Sequence, residues 1–204
     1  MDLKSTYNRI AEDWHRDHQS DDWWVAGTDV FLKLLPAGAA VLDVGCGGGT
    51  KSKYLAAKGF RVTGIDFSEN MIEIARREVP GANFQVIEVL DLLKLPGEFD
   101  GVFAQAVLLH VLKQDAPRAL RDMVGKLKPG GCLYAAVKGK KDGQHDEEIV
   151  SQDDYGYSYQ RFFSYYTLSE LEKYFQDLGL AIVYRNADET SKGRWIQLIG
   201  REPR

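Results

Sequence analysis

The feature that most constrains the fold is a glycine-rich turn directly after a short apolar run. Residues 40–44, Ala-Val-Leu-Asp-Val, predict a buried strand, and residues 45–49 then read Gly-Cys-Gly-Gly-Gly before a helical pattern from about Lys51 to Lys58. Glycines at such a turn allow positive φ and let the backbone approach a ligand closely. A strand, a glycine turn and a helix in this order indicate an α/β sheet with a binding site beyond its first strand.

Apolar runs alternate with helical patterns along most of the chain. This alternation predicts a mostly parallel sheet with helices on both faces, closed by an antiparallel hairpin. Ser68, Asp115 and Thr167 are favourable N-caps, and each precedes a predicted helix; the helix after Asp115 is expected to run to about Leu127. After the first strand, the predicted strands are residues 61–66, 84–87, 99–104, 132–137, 181–185 and 195–200.

Two segments fall outside this alternation. Residues 1–35 hold three of the four tryptophans, and we expect them to form a helical cap. Residues 138–166 are too long for a simple connection between a strand and a helix, and we expect a lid, because long connections are often binding loops. With 204 residues, the chain is expected to form one domain over residues 1–204.

Composition narrows the class of protein. A net charge of -4 argues against a nucleic-acid partner, which needs clustered cations to meet phosphates. Apolar runs stay well short of the roughly 18–20 residues that span a bilayer, so no membrane association is expected. The first residues lack the pattern of a signal peptide, and neither Cys46 nor Cys132 suggests a disulfide framework. We therefore expect a cytoplasmic protein, either a monomer or a homodimer.

The glycine turn does not match a dinucleotide site. That pattern, Gly-x-Gly-x-x-Gly or Ala, would need a small residue where Thr50 stands. Asp43, two residues before the first glycine, would repel a pyrophosphate but would attract a cationic ligand. The sequence therefore disfavours an NAD-dependent oxidoreductase, which is one alternative class of function.

Residues 41–50 resemble motif I of the class I S-adenosylmethionine (SAM)-dependent methyltransferases, and the resemblance extends over roughly residues 38–137. Residues 95–100 and 127–131 resemble the segments that lead into the fourth and fifth strands of that family. The resemblance implies a Rossmann-like, doubly wound α/β fold with a mostly parallel seven-stranded sheet and a C-terminal antiparallel hairpin. It also implies SAM as the cofactor and S-adenosylhomocysteine as its product.

The resemblance assigns a cofactor role to several side chains. In the family, the acid at the end of the second strand, here Asp66, accepts both ribose hydroxyls, a task that suits the two oxygens of a carboxylate. Phe67 and Met71 would pack on the adenine, and Glu88 would meet its amino group, with Asp91 as the alternative. The full predicted cofactor set is Asp43, Gly45, Cys46, Gly47, Asp66, Phe67, Met71, Glu88, Val89 and Gln105.

His110 is the candidate catalytic base, because an ordinary histidine is partly neutral near pH 7; its other possible role is to orient the loop after the fourth strand. The run from Tyr155 to Tyr166 is rich in aromatic residues. Alternation of tyrosines up to Arg161 predicts an extended face that could hold an anionic or aromatic acceptor, and Arg161 would suit a carboxylate. Tyr7 resembles an N-terminal tyrosine that lies over the cofactor in related enzymes. The predicted substrate-binding set is Tyr7, Trp14, Trp24, Tyr159 and Arg161.

His15 and His18 are three residues apart, and a metal site there is conceivable, but we expect surface polar residues and no metal. The functional hypothesis is methyl transfer from SAM to an oxygen or nitrogen of a small-molecule acceptor. Two alternatives stay open at this stage: a methyltransferase acting on a macromolecule such as tRNA or protein, and a SAM-binding protein without catalysis.

Overall fold

The computed structural model describes residues 2–190 and 192–203. Its longer helices are α1 (Leu3–His18), α2 (Val25–Lys33), α3 (Thr50–Ala57), α4 (Glu69–Glu78), α5 (Ala116–Val124) and α6 (Leu168–Asp177). Its strands are β1 (Ala40–Val44), β2 (Arg61–Asp66), β3 (Asn83–Val86), β4 (Phe99–Gln105), β5 (Leu127–Lys138), β6 (Glu147–Gln152), β7 (Tyr159–Ser164), β8 (Ala181–Thr190) and β9 (Gly193–Arg201). Two short 3₁₀ helices span Val89–Lys94 and Leu108–His110.

Seven strands form one sheet in the order β3-β2-β1-β4-β5-β9-β8. Strands β1 to β5 are parallel to one another, whereas β9 runs antiparallel to both β5 and β8. The predicted mostly parallel sheet with a C-terminal antiparallel hairpin is thus confirmed. Strand order reverses at β1, which lies between β2 and β4. Ligands of such sheets bind outside the carboxyl ends of the strands at this reversal point.

Helices cover both faces of the sheet because the side chains of a buried parallel strand are apolar on both sides. On one face, Phe31 of α2 packs with Val41 of β1 and Phe103 of β4. On the other face, Leu120 of α5 and Phe175 of α6 pack with the strands through Leu42, Val102 and Leu133. This two-layer covering confirms the doubly wound α/β class.

Several predicted boundaries were wrong. Helix α5 ends at Val124 and not near Leu127, because the chain there already pairs as a strand: Leu127 of β5 lies opposite Phe99 of β4, before a break in register. The C-terminal hairpin is longer than predicted, since β8 and β9 pair as far as Gly193. Residues 155–158 are not extended either. They form the turn between β6 and β7, where Gly156 has a φ of 77°.

The two unusual segments meet above the carboxyl ends of the central strands. Residues 3–33 contain α1 and α2, and α1 packs against α4 and β7. The predicted lid contains the antiparallel pair β6 and β7, which is separate from the main sheet. Strand β7 also contacts the 3₁₀ turn that holds His110. Within the described residues, the helices are all too short or too polar to cross a membrane.

Candidate active site

The glycine turn after β1 has the geometry that its sequence predicts. Gly45, Gly47 and Gly49 have φ values of 65°, 52° and 82°, in the left-handed region that favours glycine. A Cβ atom on Gly45 would lie 2.5 Å from Cγ2 of Val107. At Gly47 the nearest atom would be the Met71 sulfur, at 4.0 Å. The turn therefore leaves room above Gly47 and is tightly packed below Gly45.

A cleft of about 740 Å³ opens above this turn. It is bordered by the turn, the carboxyl ends of β1, β2 and β4, helix α1, and the β6–β7 hairpin. All ten side chains and glycines that the sequence predicted as cofactor contacts border this one cleft. They are Asp43, Gly45, Cys46, Gly47, Asp66, Phe67, Met71, Glu88, Val89 and Gln105.

Asp66 ends β2 with its carboxylate beside the glycine turn. Its Oδ2 accepts the backbone N–H of Gly47 at 3.0 Å, and its Oδ1 accepts the N–H of Ser68 at 2.9 Å. A carboxylate oxygen can accept two hydrogen bonds, so each oxygen keeps acceptor capacity toward the cleft. Burial raises the pKa of Asp66 to about 6, against the lowering effect of these backbone donors. A ligand that donates further hydrogen bonds to the Asp66 carboxylate would favour its ionised form.

Asp43 is a second buried carboxyl group at the same end of the sheet. Its Oδ2 accepts the hydroxyl proton of Ser52 at 2.6 Å. Burial raises the pKa of Asp43 to about 7, while the Ser52 bond and the charge of Lys51 lower it. Burial lowers the pKa of Lys51, which borders the same cleft. A cationic ligand would favour the ionised form of Asp43.

Gln105, the last residue of β4, carries a buried side chain whose two polar atoms have no partner among the described residues. Buried amides are normally hydrogen-bonded, so an unpaired one that borders a cleft indicates a place for a ligand. The next residue, Ala106, has a φ of 59°, the single positive value found for a non-glycine residue in the described part of the chain. Such backbone strain is concentrated at functional sites.

The two candidate acids after β3 are separated by the structure. Glu88 is exposed and borders the cleft at the start of the first 3₁₀ helix. Asp91 does not border the cleft, and it pairs instead with Lys94 at 2.9 Å on the surface. The geometry therefore favours Glu88 over Asp91 for a contact with a ligand.

His110 lies at the end of a hydrogen-bond chain that joins three distant segments. Its Nδ1 is 2.8 Å from the carbonyl oxygen of Phe162, which can only accept, so Nδ1 carries the proton. Nε2 then accepts the hydroxyl proton of Tyr7 at 2.7 Å. Arg161 donates from Nη1 to the Tyr7 oxygen at 3.3 Å. Burial lowers the pKa of His110 to about 3, so the ring is neutral and its tautomer is fixed.

Two of the five predicted substrate contacts lie away from the cleft, which corrects the sequence prediction. Trp24 is buried behind the site, where its ring meets the edge of Tyr54 at 5.2 Å between centroids. Tyr159 is buried within the hairpin and stacks on Tyr155 at 5.6 Å. Since β7 begins only at Tyr159, the side-chain alternation assumed for the preceding tyrosines does not exist. Tyr7, Trp14 and Arg161 do border the cleft.

The expectation that His15 and His18 are surface polar residues was wrong for His15. His15 is buried on α1, its Nε2 has no hydrogen-bond partner among described residues, and its ring packs against Gly48 of the glycine turn. Burial lowers its pKa. His18 stacks on the ring of Trp14 at 3.6 Å between centroids. His15 thus attaches α1 to the glycine turn, whereas the His18 ring packs on its own helix at the edge of the cleft.

Sequence reasoning missed several side chains on the acceptor side of the cleft. Lys138 ends β5, Phe163 lies on β7, and Trp195 lies near the start of β9. Trp23 stacks on Trp195 with ring centroids 4.1 Å apart. No local motif marks these residues, because each reaches the cleft only through the packing of remote segments.

Comparisons with known proteins agree with this architecture. Residues 41–131 match the family model described as "Methyltransferase domain". Over this segment the chain is similar to methyltransferase domains. Among curated relatives, the ubiquinone biosynthesis O-methyltransferase of Coxiella burnetii is 38% identical over 133 residues, covering 56% of each chain. That of Xanthomonas axonopodis pv. citri is 39% identical over 113 residues, covering 53% of this chain and 46% of the relative. The matched region thus spans about half the length of these relatives.

Solved methyltransferase structures share the fold over nearly the whole chain. One is the 1,6-didemethyltoxoflavin-N1-methyltransferase of Burkholderia thailandensis, solved with 1,6-didemethyltoxoflavin and S-adenosylhomocysteine. It is 19% identical with a TM-score of 0.77, covering 99% of this chain and 88% of that one. The magnesium protoporphyrin IX methyltransferase of Synechocystis, solved with SAM, is 20% identical with a TM-score of 0.73, covering 98% and 95%. At this identity the likeness establishes the fold.

Proposed function

We propose that this protein transfers a methyl group from SAM to an oxygen or nitrogen atom of a small molecule. The observation that carries the proposal is the pair of buried carboxyl groups, Asp43 and Asp66, that flank a glycine turn in a methyltransferase fold. Neither has an ion-pair partner within 4.0 Å among the described residues. Two uncompensated acids suit a ligand with cationic groups and hydroxyl donors.

The residues of the cleft fit SAM in chemistry and in order. Asp66 has spare acceptor capacity for the two ribose hydroxyls, and the unpaired amide of Gln105 offers both a donor and an acceptor. Phe67 and Met71 supply an apolar wall for the adenine, with Glu88 at its rim. The sulfonium and ammonium charges would be balanced by Asp43. When bound, SAM supplies a methyl group already activated by its attachment to a sulfonium sulfur.

The protein's own contribution is mainly to position the two reactants. Holding them in line can lower the barrier by roughly 7–11 kcal/mol. Tyr7 and His110 form a hydrogen-bonded pair, and both border the cleft. We assign the Tyr7–His110 pair as the proton acceptor: an acceptor hydroxyl gives its proton to the Tyr7 oxygen while the Tyr7 hydroxyl proton moves to Nε2 of His110. A neutral ring with a fixed tautomer can serve this role, although its low pKa limits its strength as a base.

Curated relatives and structural neighbours are named for methylation of small molecules, which supports a small-molecule acceptor here. The net charge of -4 argues against tRNA as the methylated molecule. A turnover assay distinguishes the proposal from a SAM-binding protein without catalysis, because such a protein would bind SAM but would not methylate any acceptor. We further propose that residues 1–204 act as one domain; whether it is a monomer or a homodimer stays a prediction.

Isothermal titration calorimetry with SAM, S-adenosylhomocysteine and NAD tests the cofactor. We expect micromolar binding of the first two and none of NAD. Asp66→Asn should weaken SAM binding by more than about tenfold, or roughly 1.4 kcal/mol, because an amide cannot accept at both positions. Asp91→Asn is the matched control, since Asp91 lies outside the cleft, and its affinity should match the wild type. Equal affinities for all three proteins would refute the ribose assignment, and binding of NAD alone would refute the function.

A further inference from the structure

Two cationic side chains enter the acceptor side of the cleft without an acidic partner. The Arg161 side chain is buried, with 7% exposure, and Lys138 is half-buried; both border the cleft. Neither takes part in any ion pair among residues 2–190 and 192–203. Buried charges are normally paired, so this arrangement calls for a partner from outside the chain.

Both cations lie near the same aromatic ring. Nζ of Lys138 lies 5.1 Å from the centre of the Phe163 ring, and Cζ of Arg161 lies 5.0 Å from the same centre. Burial lowers the pKa of Lys138, and the charge of Arg161 lowers it further. An anion bound near both would relieve this repulsion.

The Arg161 guanidinium is already oriented for such a partner. Its Nε donates to Oε1 of Gln152 at 2.7 Å, and Nη1 donates to Tyr7 at 3.3 Å. Its Cζ also lies 4.5 Å from the centre of the Trp14 ring. The remaining terminal nitrogen, Nη2, donates to no described residue. A side chain fixed in this way loses little entropy when it binds an anion.

The walls near these cations are flat and aromatic. Trp23 and Trp195 are stacked at the rim of the cleft, and the Phe163 ring lies beside both cations. The indole N–H of Trp195 is buried and has no hydrogen-bond partner in the described part of the chain. Aromatic walls of this kind favour planar ligands, and the free N–H could donate to an oxygen of such a ligand.

We infer that the methyl acceptor is a planar aromatic small molecule with a carboxylate, which Arg161 and Lys138 bind together. This inference rests on the proposed function and specifies its substrate class. Asp154 also borders the cleft, where its Oδ2 accepts the hydroxyl proton of Tyr159 at 3.0 Å. Its negative charge opposes a dianionic phosphate more than a singly charged carboxylate, which is why the carboxylate is the assigned group.

Calorimetry with matched probes tests the inference. The probes are 3,4-dihydroxybenzoate and indole-2-carboxylate, each compared with its own carboxamide, and phenyl phosphate. Each is titrated into the full chain, with and without saturating S-adenosylhomocysteine. At least one acid should bind at least about tenfold more tightly than its amide, a preference worth roughly 1.4 kcal/mol. Absence of any preference for the acids, or tighter binding of phenyl phosphate than of both acids, would overturn the carboxylate assignment.

Variants of Arg161 and Lys138 test whether these two residues cause the tighter binding of acids. Arg161→Gln and Lys138→Gln should each reduce acid binding by about tenfold or more and leave amide binding within about twofold. Arg185→Gln and Lys173→Gln are the matched controls, because both residues lie on the surface away from the cleft, at 63% and 70% exposure. If Arg161→Gln fails to fold, Lys138→Gln and the wild-type comparison still decide the question.

The same titrations keep the two proposals apart. Binding of S-adenosylhomocysteine is measured independently of the acceptor probes, and the Lys138 variant should retain it. If S-adenosylhomocysteine does not bind but the acids still bind more tightly than their amides, the proposed function is refuted and the carboxylate site is not. If S-adenosylhomocysteine binds tightly and the acids and amides bind with equal affinity, only the carboxylate site is refuted.

Discussion

The two sides of the cleft are built in different ways. The cofactor side comes from residues 43–105, where strands β1, β2 and β4 are neighbours in the sheet and end at one edge. The acceptor side is assembled from helix α1, the β6–β7 hairpin, the end of β5 and the start of β9. Tyr7 meets His110 across 103 positions of sequence and Arg161 across 154. The backbone shapes the first side, whereas side-chain packing shapes the second.

This difference predicts how each side responds to mutation. A Cβ atom added at Gly45 would be held at a positive φ and would collide with the Val107 side chain in a closely packed region. A surface of side chains from separate elements can lose one member and keep the others. Mutations on the cofactor side should therefore reduce SAM affinity strongly, while mutations on the acceptor side should change turnover and acceptor binding and leave SAM affinity intact.

The largest effect is expected for Gly45→Ala. Alanine at a φ of 65° costs about 1–2 kcal/mol, and its Cβ would lie 2.5 Å from Val107, whose displacement costs about 1–3 kcal/mol more. SAM binding should weaken roughly 10²- to 10³-fold by calorimetry. Gly59→Ala is the control: its φ is 88°, but nothing lies within 4 Å and it is outside the cleft. An equal loss of affinity in both variants would contradict the close-packing argument.

His110→Ala tests the acceptor side. Removal of a proton acceptor should lower kcat by roughly 10²-fold, the lower end of the range for general bases, because the pKa of His110 is low. SAM affinity should stay within about twofold, since His110 bonds to Tyr7 and Phe162 and to no predicted cofactor contact. The exposed His145 supplies the control, His145→Ala. An unchanged kcat at saturating acceptor would remove His110 from the chemistry.

A smaller effect is expected from pH. In the ligand-free protein, burial holds the pKa of Asp43 at about 7 and that of Asp66 at about 6. A cationic ligand prefers ionised carboxylates, so SAM affinity should rise with pH, by about tenfold from pH 6 to pH 8. Asp43→Asn should bind SAM more weakly at pH 8 and should show a much smaller rise. A wild-type affinity that is flat or falls over this range would contradict the assigned charge pairing.

Much of the fold and of the cofactor side could be predicted from sequence. The glycine turn, Asp66 and the N-cap Ser68 are local signals, because each acts within a few residues of its own position. The resemblance to class I methyltransferases added the roles of Glu88 and Gln105, and the structure brings both to the cleft. Their contacts with a cofactor remain predictions. Element ends were less predictable, as β5 illustrates, since pairing with β4 decided where it begins.

The acceptor side could be predicted only in part. Trp24 and Tyr159 were assigned to the cleft by residue type, yet both are buried elsewhere. His15 was expected on the surface and instead packs against Gly48. Lys138 and Trp195 carry no local signal, because their neighbours on the chain are ordinary strand residues. Residue type indicated which side chains could bind an acceptor, but it could not indicate which of them face the cleft.

The sheet, the glycine turn and the acids at the strand ends could be predicted from local sequence, since hydrophobic period and backbone freedom are local properties of the chain. Which side chains complete the acceptor side depends on long-range packing. Helix α1 and the β6–β7 hairpin approach the same strand ends from opposite ends of the sequence, and their packing places Tyr7, His110 and Arg161 within hydrogen-bonding distance. Contacts between remote segments depend on how the whole chain packs, and no short stretch of sequence contains that information.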